Sequence, residues 1–125
     1  MPHDFEITIF HNPACGSSRS ALAEIKARGH APKVVEYLKV GWTRVQLEEL
    51  LSQLGATPRE LLREKEAVAG ELGLSDAAVG DERILEAMVA HPILVNRPIV
   101  VTPSGARLCR PPERVRDLLD PHPSA

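Results

Sequence analysis

The first apolar positions of the chain alternate. Residues 6–11, Glu-Ile-Thr-Ile-Phe-His, combine β-branched and aromatic residues at strand spacing. Asn12-Pro13 ends the run, because proline lacks a ladder N–H and restricts the residue before it. From Ser17 the period lengthens: Ala21, Leu22 and Ile25 recur at helical intervals, and Gly29 closes the run as a C-terminal cap. Residues 33–38, Lys-Val-Val-Glu-Tyr-Leu, return to strand character. Strand, helix and strand in succession predict a parallel pair with a right-handed crossover.

Helical periodicity dominates the middle. Thr43 is placed to cap a helix carrying Val45, Leu47, Leu50, Leu51 and Leu54 and closed by Gly55. Thr57-Pro58-Arg59-Glu60 opens another, with Thr57 as N-cap, Pro58 at the first helical position and Glu60 completing a capping box. That helix holds Leu61 and Leu62 and fades through residues 63–66. Residues 75–78 suggest a short helical turn, and Asp81 a cap for a helix through Ile84, Leu85 and Met88. His91-Pro92 stops it. Ile99-Val100-Val101 reads as a buried strand, Pro103-Ser104-Gly105 as a turn, and residues 106–109 as its hairpin partner. A last helix follows Pro111-Pro112 with Val115, Leu118 and Leu119 inside. The order is β-α-β, a helical insert over about 43–90, then β-β-α: an α/β fold with a mixed sheet of about four strands, in a single domain over 1–125. The tail 120–125 is expected to be disordered.

Composition narrows the function classes. At 125 residues, 43% hydrophobic and 26% charged, the chain is of ordinary one-domain size and make-up. A net charge of −2 and few aromatics disfavour nucleic acid. No apolar run approaches the ~18 residues of a membrane span, and no secretory signal is visible. The two cysteines, Cys15 and Cys109, lie far apart and form neither a CxxC pair nor a zinc set, so a reducing cytoplasm is expected.

The chemistry concentrates at Cys15, where the first strand gives way to the first helix. Such a junction leaves unpaired N–H groups and the positive end of a helix dipole, which favour a thiolate. Gly16, Ser17 and Ser18 offer further N–H donors and two hydroxyls to an anion. The competing reading is a buried apolar cysteine, for which flanking Gly and Ser are poor company. His11 could place an imidazole near the sulfur or simply end the strand, and Ser18 could merely cap the helix. Ser18 stands at the third position after Cys15, so a local dithiol cycle is excluded; Arg19 is too close for a phosphatase C-x5-R loop. A one-thiol chemistry with a borrowed second thiol remains. Arg97 precedes a proline that opens a strand, and the Arg97–Pro98 bond is a candidate cis peptide. Arg110 sits at another element boundary, and Arg63 ends a helix. Guanidinia converging on one thiolate would suit a tetrahedral oxyanion.

Three separated blocks carry a family resemblance: residues 11–19 (HNPACGSSR), residues 91–103 (HPILVNRPIVVTP) and residues 107–111 (RLCRP). Together with Tyr37-Leu38 and Leu61-Leu62-Arg63, they closely resemble the glutaredoxin-linked arsenate reductases, over nearly the whole chain from Ile7 to about Leu119. The resemblance implies a thioredoxin-like core with a helical insertion and a cis-proline at Pro98. It implies Cys15 as the nucleophile, Arg63, Arg97 and Arg110 as the holders of arsenate, and His11 and Ser18 as groups that lower the thiol pKa. It further implies glutathione as co-substrate, glutaredoxin as partner, no bound cofactor or metal, and a cytoplasmic monomer. Two alternatives stay open on the residues alone. One is a related thiol oxidoreductase acting on another oxyanion or a glutathione mixed disulfide. The other is a thioredoxin-fold regulator binding a protein partner, against which the missing CxxC speaks.

Overall fold

The computed structural model describes residues 6–119, which form two compact units; the tail 120–125, read above as disordered, lies outside them. The first unit combines the N-terminal segment through Glu36 with the segment from Arg97 onward. It contains strands β1 (Thr8–His11), β2 (Lys33–Glu36), β3 (Ile99–Thr102) and β4 (Gly105–Leu108) in the order β2-β1-β3-β4. β1 pairs parallel with β2, Thr8 opposite Lys33 and His11 opposite Glu36, as the βα-crossover requires. β3 runs antiparallel to both β1 and β4, with Ile9 opposite Val100 and Ile99 opposite Leu108. This is the expected four-stranded mixed sheet of the thioredoxin-like fold.

Helix α1 (Gly16–Ala27) supplies the crossover. Gly29 follows it at φ 85°, the left-handed conformation that only glycine adopts without cost, and donates back to the Lys26 carbonyl. Ile7 and Ile9 of the first strand segment, Ala21 and Ile25 of α1, Val100, Cys109, Val115, Leu118 and Leu119 form one buried cluster. Val115 ends a 3-10 turn, Pro112–Val115, that runs directly into α7 (Arg116–Leu119), which carries the last two leucines, so the closing helix is shorter than its sequence pattern suggests.

The second unit, Tyr37–Asn96, is wider than the insert of 43–90 inferred from periodicity. Its helices are α2 (Tyr37–Val40), α3 (Arg44–Leu54), α4 (Pro58–Leu61), α5 (Ala67–Glu71) and α6 (Asp81–Ala90), followed by a 3-10 turn at Pro92–Leu94. α6 packs against α3, α4 and that turn. The predicted capping box of Thr57 with Glu60 is present, and the Thr43 cap proves to be a second box, closed by Gln46.

Three local readings need correction. β2 ends at Glu36, and Tyr37-Leu38 begin a helix instead. Tyr37 is fully buried, donates its hydroxyl to the Val95 carbonyl at 3.1 Å and stacks on Trp42, contacts that override its strand propensity. Residues 75–78 form turns, not helix; Asp76 Oδ1 accepts from the Ala78 N–H, and Arg59 binds the carbonyls of Leu74, Asp76 and Val79. Gly80 rather than Asp81 caps α6, and Asp81 complements the helix dipole from the first turn. α5 was not anticipated: the helix read at Leu61-Leu62 was expected to fade through residues 63–66, and no element was read at residues 67–71. Among the described residues, no helix is long and apolar enough to cross a membrane.

Candidate functional site

The turn after β1 is held chiefly by one residue. Asn12 is almost fully buried, at 3% exposure. Its carbonyl accepts from the Cys15 N–H at 2.9 Å, its side-chain Oδ1 accepts from the Ala14 N–H at 3.0 Å, and its own N–H donates to Ser18 Oγ at 3.3 Å. Arg19 closes the outside of the turn by donating Nη1 to the Pro13 carbonyl at 2.8 Å. Cys15 is thereby fixed as the N-cap of α1, in extended conformation, with no side-chain capping bond.

Ser18 is consequently not the helix cap. Its hydroxyl is spent on Asn12, and its N–H points at the sulfur. Arg110 reaches Cys15 from the far end of the chain: Nη1 lies 3.6 Å from Sγ and donates to the Arg97 carbonyl at 3.0 Å. Arg97 is buried, and the Arg97–Pro98 bond is cis, as is Arg110–Pro111. The Pro98 carbonyl accepts from the Cys109 N–H at 2.9 Å, which ties the two arginine-bearing segments together.

These groups set the acidity of the thiol. Partial burial pushes Cys15 up, but the Ser18 N–H, the guanidinium groups of Arg110 and Arg97 and the Ser17 N–H outweigh it. The net result lies well below the ordinary thiol value, at about 7. Cys109 behaves in the opposite way: burial dominates and pushes it up to about 12, so it is an inert core thiol.

His11 ends β1 and is buried, with no hydrogen-bond partner on Nδ1 among the described residues. Burial, with Arg19 and Lys26 assisting against Glu36, holds its pKa below the usual value, which favours the neutral ring. The positive charge beside the sulfur comes from Arg97 and Arg110. Arg63 lies in the second unit, where Nε donates to Glu66 Oε2 at 3.0 Å and Nη1 to Asn96 Oδ1 at 3.4 Å. Gly16 begins α1, with Arg19 Nη2 3.8 Å from where a Cβ would stand. Of the residues singled out in the sequence, the structure thus brings Cys15, Ser17, Ser18, Arg97 and Arg110 together in one unit. Sequence reasoning missed Asn12, although an Asn two residues before a free N–H is the signature of an Asx turn.

Chemically, an acidic thiol facing two guanidinia and a helix N-terminus is an arrangement for attack on a small oxyanion. Among the described residues no group of three or more His, Cys, Asp or Glu could hold a metal.

The arsenate reductase ArsI2 of Synechocystis sp. is 55% identical over 118 residues, covering 94% of this chain and 84% of that protein. An arsenate reductase of Escherichia coli is 48% identical over 113 residues, 90% of this chain and 80% of that one. The solved arsenate reductase from Vibrio cholerae superposes with a TM-score of 0.87 at 40% identity, covering 92% of this chain and 98% of that one. Residues 10–118, from the strand before the thiol turn to the closing helix, match the ArsC family. With that span and those identities, the chain belongs to the ArsC family.

Proposed function

We propose that this protein reduces arsenate to arsenite through the Cys15 thiolate, with glutathione and glutaredoxin as electron donors. The observation that carries the reading is the thiol itself: a sulfur of pKa about 7, within 3.6 Å of a guanidinium and at a helix N-terminus. The reductase names borne by its relatives support the choice of substrate.

In this reading Arg97, Arg110 and the Gly16 and Ser17 N–H groups receive the oxyanion, and Ser18 holds the sulfur acidic. Arg63 and His11 are assigned, on the family resemblance, to substrate binding and thiol tuning. The Cys15 thiolate bonds to arsenic(V) and an oxygen departs as water after taking up protons. A glutathione thiol displaces a second oxygen in the same way. The two sulfurs then couple: both arsenic–sulfur bonds break, one of their electron pairs becomes the sulfur–sulfur bond, and the other stays on arsenic, which becomes arsenic(III). Arsenite leaves, and the Cys15–glutathione mixed disulfide passes to glutaredoxin and a further glutathione. No resident cofactor is called for, and the chain is proposed to act as a cytoplasmic monomer.

The test is NADPH consumption with arsenate, glutathione, glutaredoxin and glutathione reductase. Turnover that disappears in Cys15→Ser and persists in Cys109→Ser is expected. Absence of turnover by the wild type would sink the reading, and turnover with thioredoxin in place of glutaredoxin would reassign the donor.

A further inference from the structure

We infer that Asn12 is a positioning residue for the reactive thiol: its side-chain amide oxygen, by holding the Ala14 N–H, keeps Cys15 where the amides of Ser17 and Ser18 and the guanidinium of Arg110 converge. The inference rests on the reading of Cys15 as the nucleophile and concerns how that site is built.

The hydrogen bonds of Asn12 go to the backbone of the turn and to Ser18 Oγ. The place of Asn12 in the turn is central. The carbonyl-to-Cys15 bond alone would leave a four-residue turn with its middle free, since Pro13 contributes no N–H and the Ala14 N–H would face outward. The Oδ1 bond to Ala14, at 3.0 Å, supplies the missing restraint from inside. The donor from Asn12 to Ser18 Oγ then ties the turn to the first turn of α1. Sulfur position matters here because the groups that acidify it are directional. Two are peptide N–H groups in the first turn of α1, and two are guanidinia, that of Arg110 being anchored on the Arg97 carbonyl. A sulfur that wanders by a fraction of an ångström loses alignment with all of them together, while burial goes on raising its pKa.

Replacing Asn12 by Ala removes Oδ1 and keeps both backbone bonds. Its predicted signature is a rise in thiol pKa, read from the pH profile of Cys15 alkylation by iodoacetamide with mass-spectrometric detection. A rise of about one unit from 7 corresponds to a roughly fivefold slower alkylation at pH 7, because the thiolate fraction falls from about half to about a tenth. In the coupled arsenate assay, kcat falls more than KM rises. Asn12→Ser, whose hydroxyl accepts the same i+2 N–H more weakly, is expected to show a smaller rise in the same direction.

If Asn12→Ala lowers the melting temperature and leaves the alkylation profile at the wild-type midpoint, Asn12 is only a structural residue and the inference is overturned. Should Asn12→Ala fail to fold, Asn12→Ser decides: a raised midpoint supports the inference, and a wild-type midpoint overturns it. Because alkylation needs no arsenate, this outcome stands apart from the fate of the proposed reaction.

Discussion

Arg110 donates through Nη1 both to Cys15 Sγ, at 3.6 Å, and to the carbonyl of Arg97, at 3.0 Å. The carbonyl bond holds the guanidinium in place, so its approach to the sulfur is built into the fold. Arg110→Ala is therefore expected to raise the Cys15 pKa and to lower kcat/KM for arsenate at least about tenfold. A hydrogen bond to a charged group is worth about 1.5–3 kcal/mol, and about 1.4 kcal/mol is a factor of ten. Arg110→Lys keeps the charge without the planar fork and should fall between the two. Steady-state kinetics and alkylation profiles check both; wild-type values in Arg110→Ala would remove Arg110 from the site.

The two thiols should part company with pH. Cys15, at about 7, gains thiolate as pH rises through neutrality and loses it about tenfold per unit below. Cys109, pushed up to about 12 by burial, stays protonated over the same range. At pH 8, iodoacetamide should label Cys15 rapidly and leave Cys109 untouched until denaturant is added. Peptide mass spectrometry reads this directly, and comparable labelling of both in the folded protein would contradict it.

Arg59 is expected to matter for stability alone. Its guanidinium binds the carbonyls of Leu74, Asp76 and Val79 at 3.2, 3.0 and 2.8 Å, and so closes the turns between α5 and α6. Arg59→Met should cost about 1.5–3 kcal/mol, as carbonyls lose a charged donor. Urea unfolding would show a lower midpoint, with the alkylation midpoint of Cys15 unchanged.

Tyr37→Phe makes a narrower test of the second unit. The ring stays stacked on Trp42, with centroids 5.1 Å apart, while the hydroxyl bond to the Val95 carbonyl is lost. A buried carbonyl left without its donor predicts a loss of about 1–3 kcal/mol, measured by thermal or chemical unfolding. A loss near zero would mean that the Val95 carbonyl finds another donor.

What the sequence discloses, and what it hides, follows the range of the forces involved. β1, α1, the Thr43 cap and the Thr57–Glu60 capping box rest on contacts within a few residues, and their patterns read correctly. Tyr37-Leu38 read as strand because the partner that decides them, Val95, is 58 positions away. The acidity of Cys15 was legible because the helix N-terminus is local. Arg97 and Arg110 stood out only as arginines at element boundaries; their convergence depends on strand pairing between distant segments. Asn12 was hidden by its neighbour, since Pro13 alone explained why the strand should stop.

The pairing of β1 with β3 has one more consequence. It brings residue 110 to residue 15 across a separation of 95 positions, so the acidity of the thiol is a property of the finished sheet. In a chain still being synthesised, or one unfolded by urea, Cys15 has no guanidinium beside it and should titrate near the ordinary value of about 8.5. At neutral pH such a chain carries few thiolates, and oxidants and alkylators find little to attack. Folding thus makes the thiol acidic, and unfolding returns it to an ordinary thiol.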